Sequence, residues 1–144
     1  MKLHATRALV GILFLIALLS VACSDHGCEP GYVTTASGLQ YLDIKVGAGA
    51  IPHTGQTVEI HYTMWLADST KVDSSRNRGT PFSFPLGQGR VIKGLDEGLS
   101  TMRVGGIRHL IIPPELGYGH TGAGNGMIPP DATLIMEVEL LAVR

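Results

Sequence analysis

The chain has 144 residues, 44% of them apolar, with 11 Lys and Arg against 12 Asp and Glu; this length suits one folded domain, and the near-neutral balance excludes nucleic-acid binding by net charge. Its only two cysteines, Cys23 and Cys28, both precede the first segment with a folding pattern, so neither staples a core.

The apolar residues are concentrated at the start. Residues 8–19 read ALVGILFLIALL without a polar side chain, a run well short of the roughly 20 residues needed to cross a bilayer. Lys2 and Arg7 precede it and the small residues Ser20, Val21 and Ala22 follow, so residues 1–22 read as a bacterial-style secretory signal. A core helix of a soluble domain would carry a polar face, and this run has none. Removing it leaves nine Lys and Arg against twelve acidic residues. Two processing routes fit. LLSVAC at 18–23 resembles the site of bacterial lipoproteins, with Ser20 where Leu, Val or Ile is usual, and makes Cys23 the lipidated first residue and the one membrane anchor. Ser20, Val21 and Ala22 equally suit an ordinary signal peptidase, which leaves Cys23 and Cys28 free to pair in an oxidising compartment.

Residues 23–38 are polar, rich in Gly, Ser and Thr, and read as a flexible tether ahead of a domain spanning 39–144. A first strand is expected from Leu39 to Val46. A stronger one follows, in which Val58, Ile60, Tyr62, Met64 and Leu66 alternate with Glu59, His61, Thr63 and Trp65, so one face is buried. Phe82, Phe84 and Leu86 alternate again. The period then changes: Ile92, Leu95 and Leu99 fall at helical spacing, and Gly94 and Gly98 keep that helix short. Residues 107–112 form a strand stopped by Pro113 and Pro114, and 134–143 a last one carrying Met136, Val138 and Leu140. Antiparallel strands around one short helix make an α+β domain, with no βαβ repeat.

Hydrolase and metal chemistry find no support in the motifs. There is no Gly-x-Ser-x-Gly elbow. His4 falls in the signal, and His26, His53, His61, His109 and His120 are never paired at ligand spacing, so no metal or other cofactor is expected. The glycines at 87, 89 and 122–126 match neither phosphate-loop pattern and read as turns. Aromatic and aliphatic residues beside isolated polar ones stand out, namely Tyr62, Asp73, Phe82, Phe84, Val91, Ile92, Tyr118, Met127 and Ile128.

From about Leu39 to Val143 the chain resembles the FKBP family of prolyl isomerases. The resemblance is carried by VEIHYT at 58–63, VDSSR at 72–76, PFSF at 81–84, VIKG at 91–94 with Glu97 and Gly98, MRVG at 102–105, PPELGYG at 113–119, IPP at 128–130 and ATL at 132–134, all collinear. It implies a twisted antiparallel sheet wrapped around one short helix, an activity of rotating X–Pro bonds in exported polypeptides, and no cofactor. It implies roles for Tyr118, Asp73 and Tyr62 in catalysis, with Asp73, the Tyr62 hydroxyl and Arg78 in one hydrogen-bonded network. Substrate contacts are implied for Phe82, Phe84, Val91, Ile92, Leu95, Met127, Ile128, Met136 and Val72, with the Tyr118 hydroxyl and the Ile128 N–H holding carbonyls. Three positions usually aromatic in the family are Val72, Leu95 and Met136 here, from which weaker binding of macrolide inhibitors is expected. The loop between Gly119 and Met127 is too short for the inserted domain of chaperone-type members, and no helical dimerisation segment precedes the domain, so a monomer is expected. A peptide-binding chaperone or adaptor on the same fold is the competing reading.

Overall fold

The computed structural model describes residues 31–144. The expected signal, Cys23, His26, Cys28 and the tether as far as residue 30 lie outside the described residues.

The alternating runs become strands: β1 (Val33–Thr34), β2 (Gln40–Lys45), β3 (Thr57–Leu66), β4 (Lys71–Ser74), β5 (Phe82–Pro85), β6 (Ile107–Ile112) and β7 (Leu134–Val143). All pair antiparallel in the order β1-β2-β6-β7-β3-β4, and β5 lies beside the first half of β3. Two helices accompany them, α1 (Ser75–Arg78) and α2 (Lys93–Leu99), and single 3-10 turns follow Pro113 and Ala123. The sheet is built on β3 and β7, whose register runs from Val58↔Val143 to Leu66↔Leu134.

One sheet face makes the core. Val58, Ile60 and Met64 of β3, Leu110 and Ile112 of β6, and Leu134, Met136, Val138 and Leu140 of β7 are all buried, at the period of two that their sequence shows. The main helix, α2, closes that face with Leu95 and Leu99. Gly94 and Gly98 set how close it comes: a Cβ on Gly94 would lie 2.6 Å from Ile112 Cγ2, and one on Gly98 2.7 Å from Leu110 Cδ2. These glycines were read as helix-shorteners; in the fold they are where the helix backbone meets the sheet.

Two parts differ from the sequence expectation. Pairing begins at Val33, inside the stretch read as tether, because Val33 and Thr34 hydrogen-bond opposite Tyr41 and Gln40. A two-residue strand shows no periodicity, so nothing in the sequence marks it. The second difference is the pair β4 and α1, a polar KVDSSRNR segment without an apolar pattern. The helix, a single turn, is started by Ser74, whose hydroxyl accepts the Asn77 N–H, and ended by Gly79 in a left-handed conformation.

Candidate active site

Between α2 and the sheet lies a half-open pocket of about 180 Å³, lined by Tyr62, Met64, Asp73, Phe82, Arg90, Val91, Ile92, Leu95, Tyr118 and Met136. The sheet supplies the floor through Met64 and Met136, which oppose each other across β3 and β7, and α2 adds Leu95; all three are buried. The walls are aromatic. Phe82 meets Tyr62 edge-on with ring centroids 5.9 Å apart, an arrangement favoured by the ring quadrupoles.

Tyr62 and Asp73 are tied together. Asp73 lies opposite Met64 on the β3–β4 ladder, so Tyr62, two residues along, shares its face. The Tyr62 hydroxyl donates to Asp73 Oδ2, Arg78 Nη1 donates to Asp73 Oδ1, and Arg78 Nη2 donates to the Tyr62 oxygen at 3.1 Å. The Ser74 N–H adds a fourth bond, 2.8 Å to Asp73 Oδ1. Burial by itself would raise the Asp73 carboxyl, but the bonds from Tyr62, Arg78 and Ser74 and the Arg78 charge outweigh it and hold the group below the usual carboxylate range. Tyr62 moves the other way, raised chiefly by burial and then by its bond to Asp73. The phenol therefore stays protonated beside a carboxylate, and the network expected from the sequence is closed on itself.

Tyr118 contrasts with it. Its hydroxyl has no hydrogen-bond partner among the described residues, and its pKa is raised first by burial and then by the Asp73 charge. It is a neutral donor in the pocket wall, open to solvent and without a protein acceptor among the described residues. A second such donor is the backbone N–H of Ile92, immediately before α2, which finds no acceptor among the described residues.

Several expected contacts are placed elsewhere. The Ile128 N–H, expected to hold a substrate carbonyl, donates to Ala123 O at 3.0 Å within a small hairpin, because the glycine-rich loop folds back on itself; Ile92 is the free donor instead. Ile128 is buried and Met127 exposed, and neither lines the pocket. Phe84 is buried beneath Phe82, 5.2 Å between centroids, and supports the wall without forming it. Val72 also falls outside, since neighbours along a strand face opposite sides and Asp73 takes the pocket side.

Three residues were not anticipated. Met64 shared the period-two face of Tyr62 and was readable on that ground; Arg90 was marked only by preceding Val91. Ser75 lies in the VDSSR motif, which by itself assigns it no role. The β3–β5 ladder stops at Ile60 and the β3–β4 ladder starts at Thr63, which leaves Tyr62 unpaired on that edge. The fully buried Ser75 hydroxyl fills the gap: it accepts the Tyr62 N–H at 2.8 Å, lies 3.3 Å from the Tyr62 carbonyl and 3.0 Å from His61 Nδ1. Ser75 thereby sets the backbone from which the Tyr62 ring enters the pocket.

A family model described as FKBP-type peptidyl-prolyl cis-trans isomerase matches residues 49–141. The chain belongs to that family. An FK506-binding protein of Neisseria meningitidis is 53% identical over 106 residues, covering 74% of this chain and 96% of its own. FK506-binding protein 1 of Dictyostelium discoideum is 50% identical over 107 residues, covering 74% and 99%. The crystal structure of FkpA from Escherichia coli superposes with a TM-score of 0.75 at 42% identity, covering 81% of this chain and 53% of that one. The chain is a peptidyl-prolyl cis/trans isomerase with the FKBP fold, as its motifs implied.

Proposed function

We propose that the pocket takes the prolyl ring of an X–Pro segment onto Leu95, Met64 and Met136, between Phe82 and Tyr62, and stabilises the twisted form of the preceding amide. Planar X–Pro amides rotate slowly because resonance stiffens the C–N bond, with a barrier of about 18–20 kcal/mol. A planar amide is more polar than a twisted one, so a dry wall disfavours the ground state relative to the transition state. The supporting observation is the pair of donors without a protein acceptor, the Tyr118 hydroxyl and the Ile92 N–H, beside the apolar surface of Phe82, Leu95, Met64 and Met136. Two donors suffice to hold two peptide carbonyls and fix the segment as a turn. Acceleration of about a thousandfold needs only about 4 kcal/mol.

In this reading Tyr118 touches substrate, whereas Tyr62 and Asp73, whose polar atoms are already bonded, shape the wall. Turnover of a proline tetrapeptide, followed by protease-coupled absorbance, tests it. Catalysis that Leu95→Asp leaves undiminished in a folded protein would overturn the assignment of the floor.

The substrates we infer are proline-containing polypeptides of the cell envelope, reached after export through residues 1–22 and, by the lipoprotein route, anchored at Cys23. The support is the leader pattern and the run LLSVAC. Incorporation of labelled palmitate that Cys23→Ser abolishes would distinguish the two processing routes. The domain works as a monomer in this account. Because similar proteins are named for binding FK506, the same pocket is the place for a macrolide, bound less tightly because Leu95 and Met136 replace aromatic surface. Val72, outside the pocket, has no part in that loss. Leu95→Trp is expected to raise macrolide affinity several-fold by titration calorimetry, about 0.5–1.5 kcal/mol per aromatic pair.

A further inference from the structure

Two charged side chains meet the pocket, and they differ in what they can offer a ligand. Asp73 is neutralised by Arg78. Arg90 is exposed at the mouth and has no acidic partner among the described residues. Residues 86–93 hold no Asp or Glu, Lys93 is also exposed, and the nearby Asp96 and Glu97 are bonded to the Gly87 N–H and the Ser37 hydroxyl. The backbone carrying it is held on both sides. Upstream, Leu86 is buried and the Gly87 N–H donates to Asp96 Oδ1 at 3.0 Å; downstream, the Ile92 carbonyl accepts the N–H groups of Leu95 and Asp96 at 3.0 and 3.2 Å. Arg90 is thus carried on a short loop anchored at both ends, two residues before the free N–H of Ile92.

A planar guanidinium recognises a carboxylate through paired N–H donors and repels an ammonium. We propose that Arg90 is a specificity-determining residue, selecting X–Pro segments that carry Asp or Glu next to the proline over the same segments with Lys or Arg there. This rests on the proline-pocket reading above and adds the chemical class of the favoured flanking residue. The pair forms at a solvent-exposed mouth, so the preference is modest, on the order of fivefold, and falls as salt screens it.

The test uses peptides identical except for Glu, Leu or Lys immediately before or after the proline, with kcat/KM measured by magnetisation-exchange NMR so that no protease preference enters. At low ionic strength Glu is expected to exceed Lys about fivefold on at least one side, with the ratio approaching one in 1 M salt. Arg90→Gln should bring the ratio near one and Arg90→Glu should invert it, circular dichroism showing both variants folded. A Glu-to-Lys ratio near one in the unmodified protein, or one that Arg90→Glu leaves unchanged, overturns the assignment of Arg90. The Leu–Pro peptide separates the two claims: if the unmodified protein fails to accelerate that peptide, the pocket reading fails, whereas acceleration without a charge preference defeats the Arg90 inference alone.

Discussion

Two Asp–Arg–Tyr constellations occur among the described residues, and the difference between them separates a structural use of these residues from a functional one. In the first, Arg108 on β6 stands opposite Asp43 on β2, donating from Nε at 2.6 Å and from Nη2 at 2.9 Å. Its Nη1 donates to Gly98 O and Thr101 Oγ1, and its guanidinium lies 4.2 Å from the Tyr41 ring centroid. The side chain is 4% exposed. Four of its five N–H groups are spent on joining β2, β6 and the end of α2. In the second, Arg78 is 49% exposed, 5.8 Å from the Tyr62 centroid, and bonds only Asp73 and Tyr62. The first set fills a seam, while the second ties its polar atoms together at the rim and leaves aromatic surface facing a cavity.

The sharpest way to break the comparison is to remove both arginines in turn. Arg108→Ala strands a half-buried carboxylate and a carbonyl, and is expected to cost about 3 kcal/mol, read as a Tm lower by on the order of 10 °C. The rate per folded molecule at low temperature should stay near that of the unmodified protein. Arg78→Ala, at a solvent-exposed pair, should leave Tm nearly unchanged yet reduce kcat/KM. A Tm loss from Arg78→Ala as large as that from Arg108→Ala would erase the distinction.

Next in size is Ser75→Ala, which leaves the Tyr62 N–H and carbonyl unpaired in a buried place. The expected cost is about 1–3 kcal/mol in chemical denaturation, with a fall in kcat that Ser75→Thr partly restores. Equal loss in Ser75→Thr and Ser75→Ala would deny the hydroxyl its part in placing Tyr62.

Asp73→Ala comes below it in stability, about 1 kcal/mol because the carboxylate is 37% exposed, and should lower kcat/KM by roughly tenfold as Tyr62 and Arg78 lose their shared acceptor. Asp73→Asn divides the causes: full stability with a low rate assigns the rate to charge, and recovery of both assigns it to structure. The carboxyl titrates below its ordinary 3.8 in the folded state, so its stabilisation is complete above that pH and is lost as pH falls through the lowered value. Acid-unfolding curves of Asp73→Asn and the unmodified protein should therefore be fully separated above about pH 3.8 and converge as pH falls through the lowered value; parallel curves would contradict the shift.

Smallest is Tyr118→Phe, which removes one hydroxyl and little packing. About 1 kcal/mol, or roughly fivefold in kcat/KM, is expected, with an unchanged Tm. Unaltered kinetics would leave the Ile92 N–H as the sole carbonyl donor of the pocket.

The sequence alone determined the parts that depend on local pattern. Period-two alternation marked β3 and β5, a change of period marked α2, and the collinear motifs named the family, because burial of one face repeats at the pitch of the backbone itself. Tyr62, Asp73, Phe82, Val91, Ile92, Leu95, Tyr118 and Met136 could be named in advance and do meet at one pocket. Only the tertiary structure decided which of their hydrogen-bonding groups remain free. Ile128 lost its N–H to Ala123, Ile92 kept its own, and Ser75 became indispensable at a break between two ladders. Whether a donor is satisfied depends on what another segment brings within 3 Å, and one-dimensional periodicity holds no record of that distance.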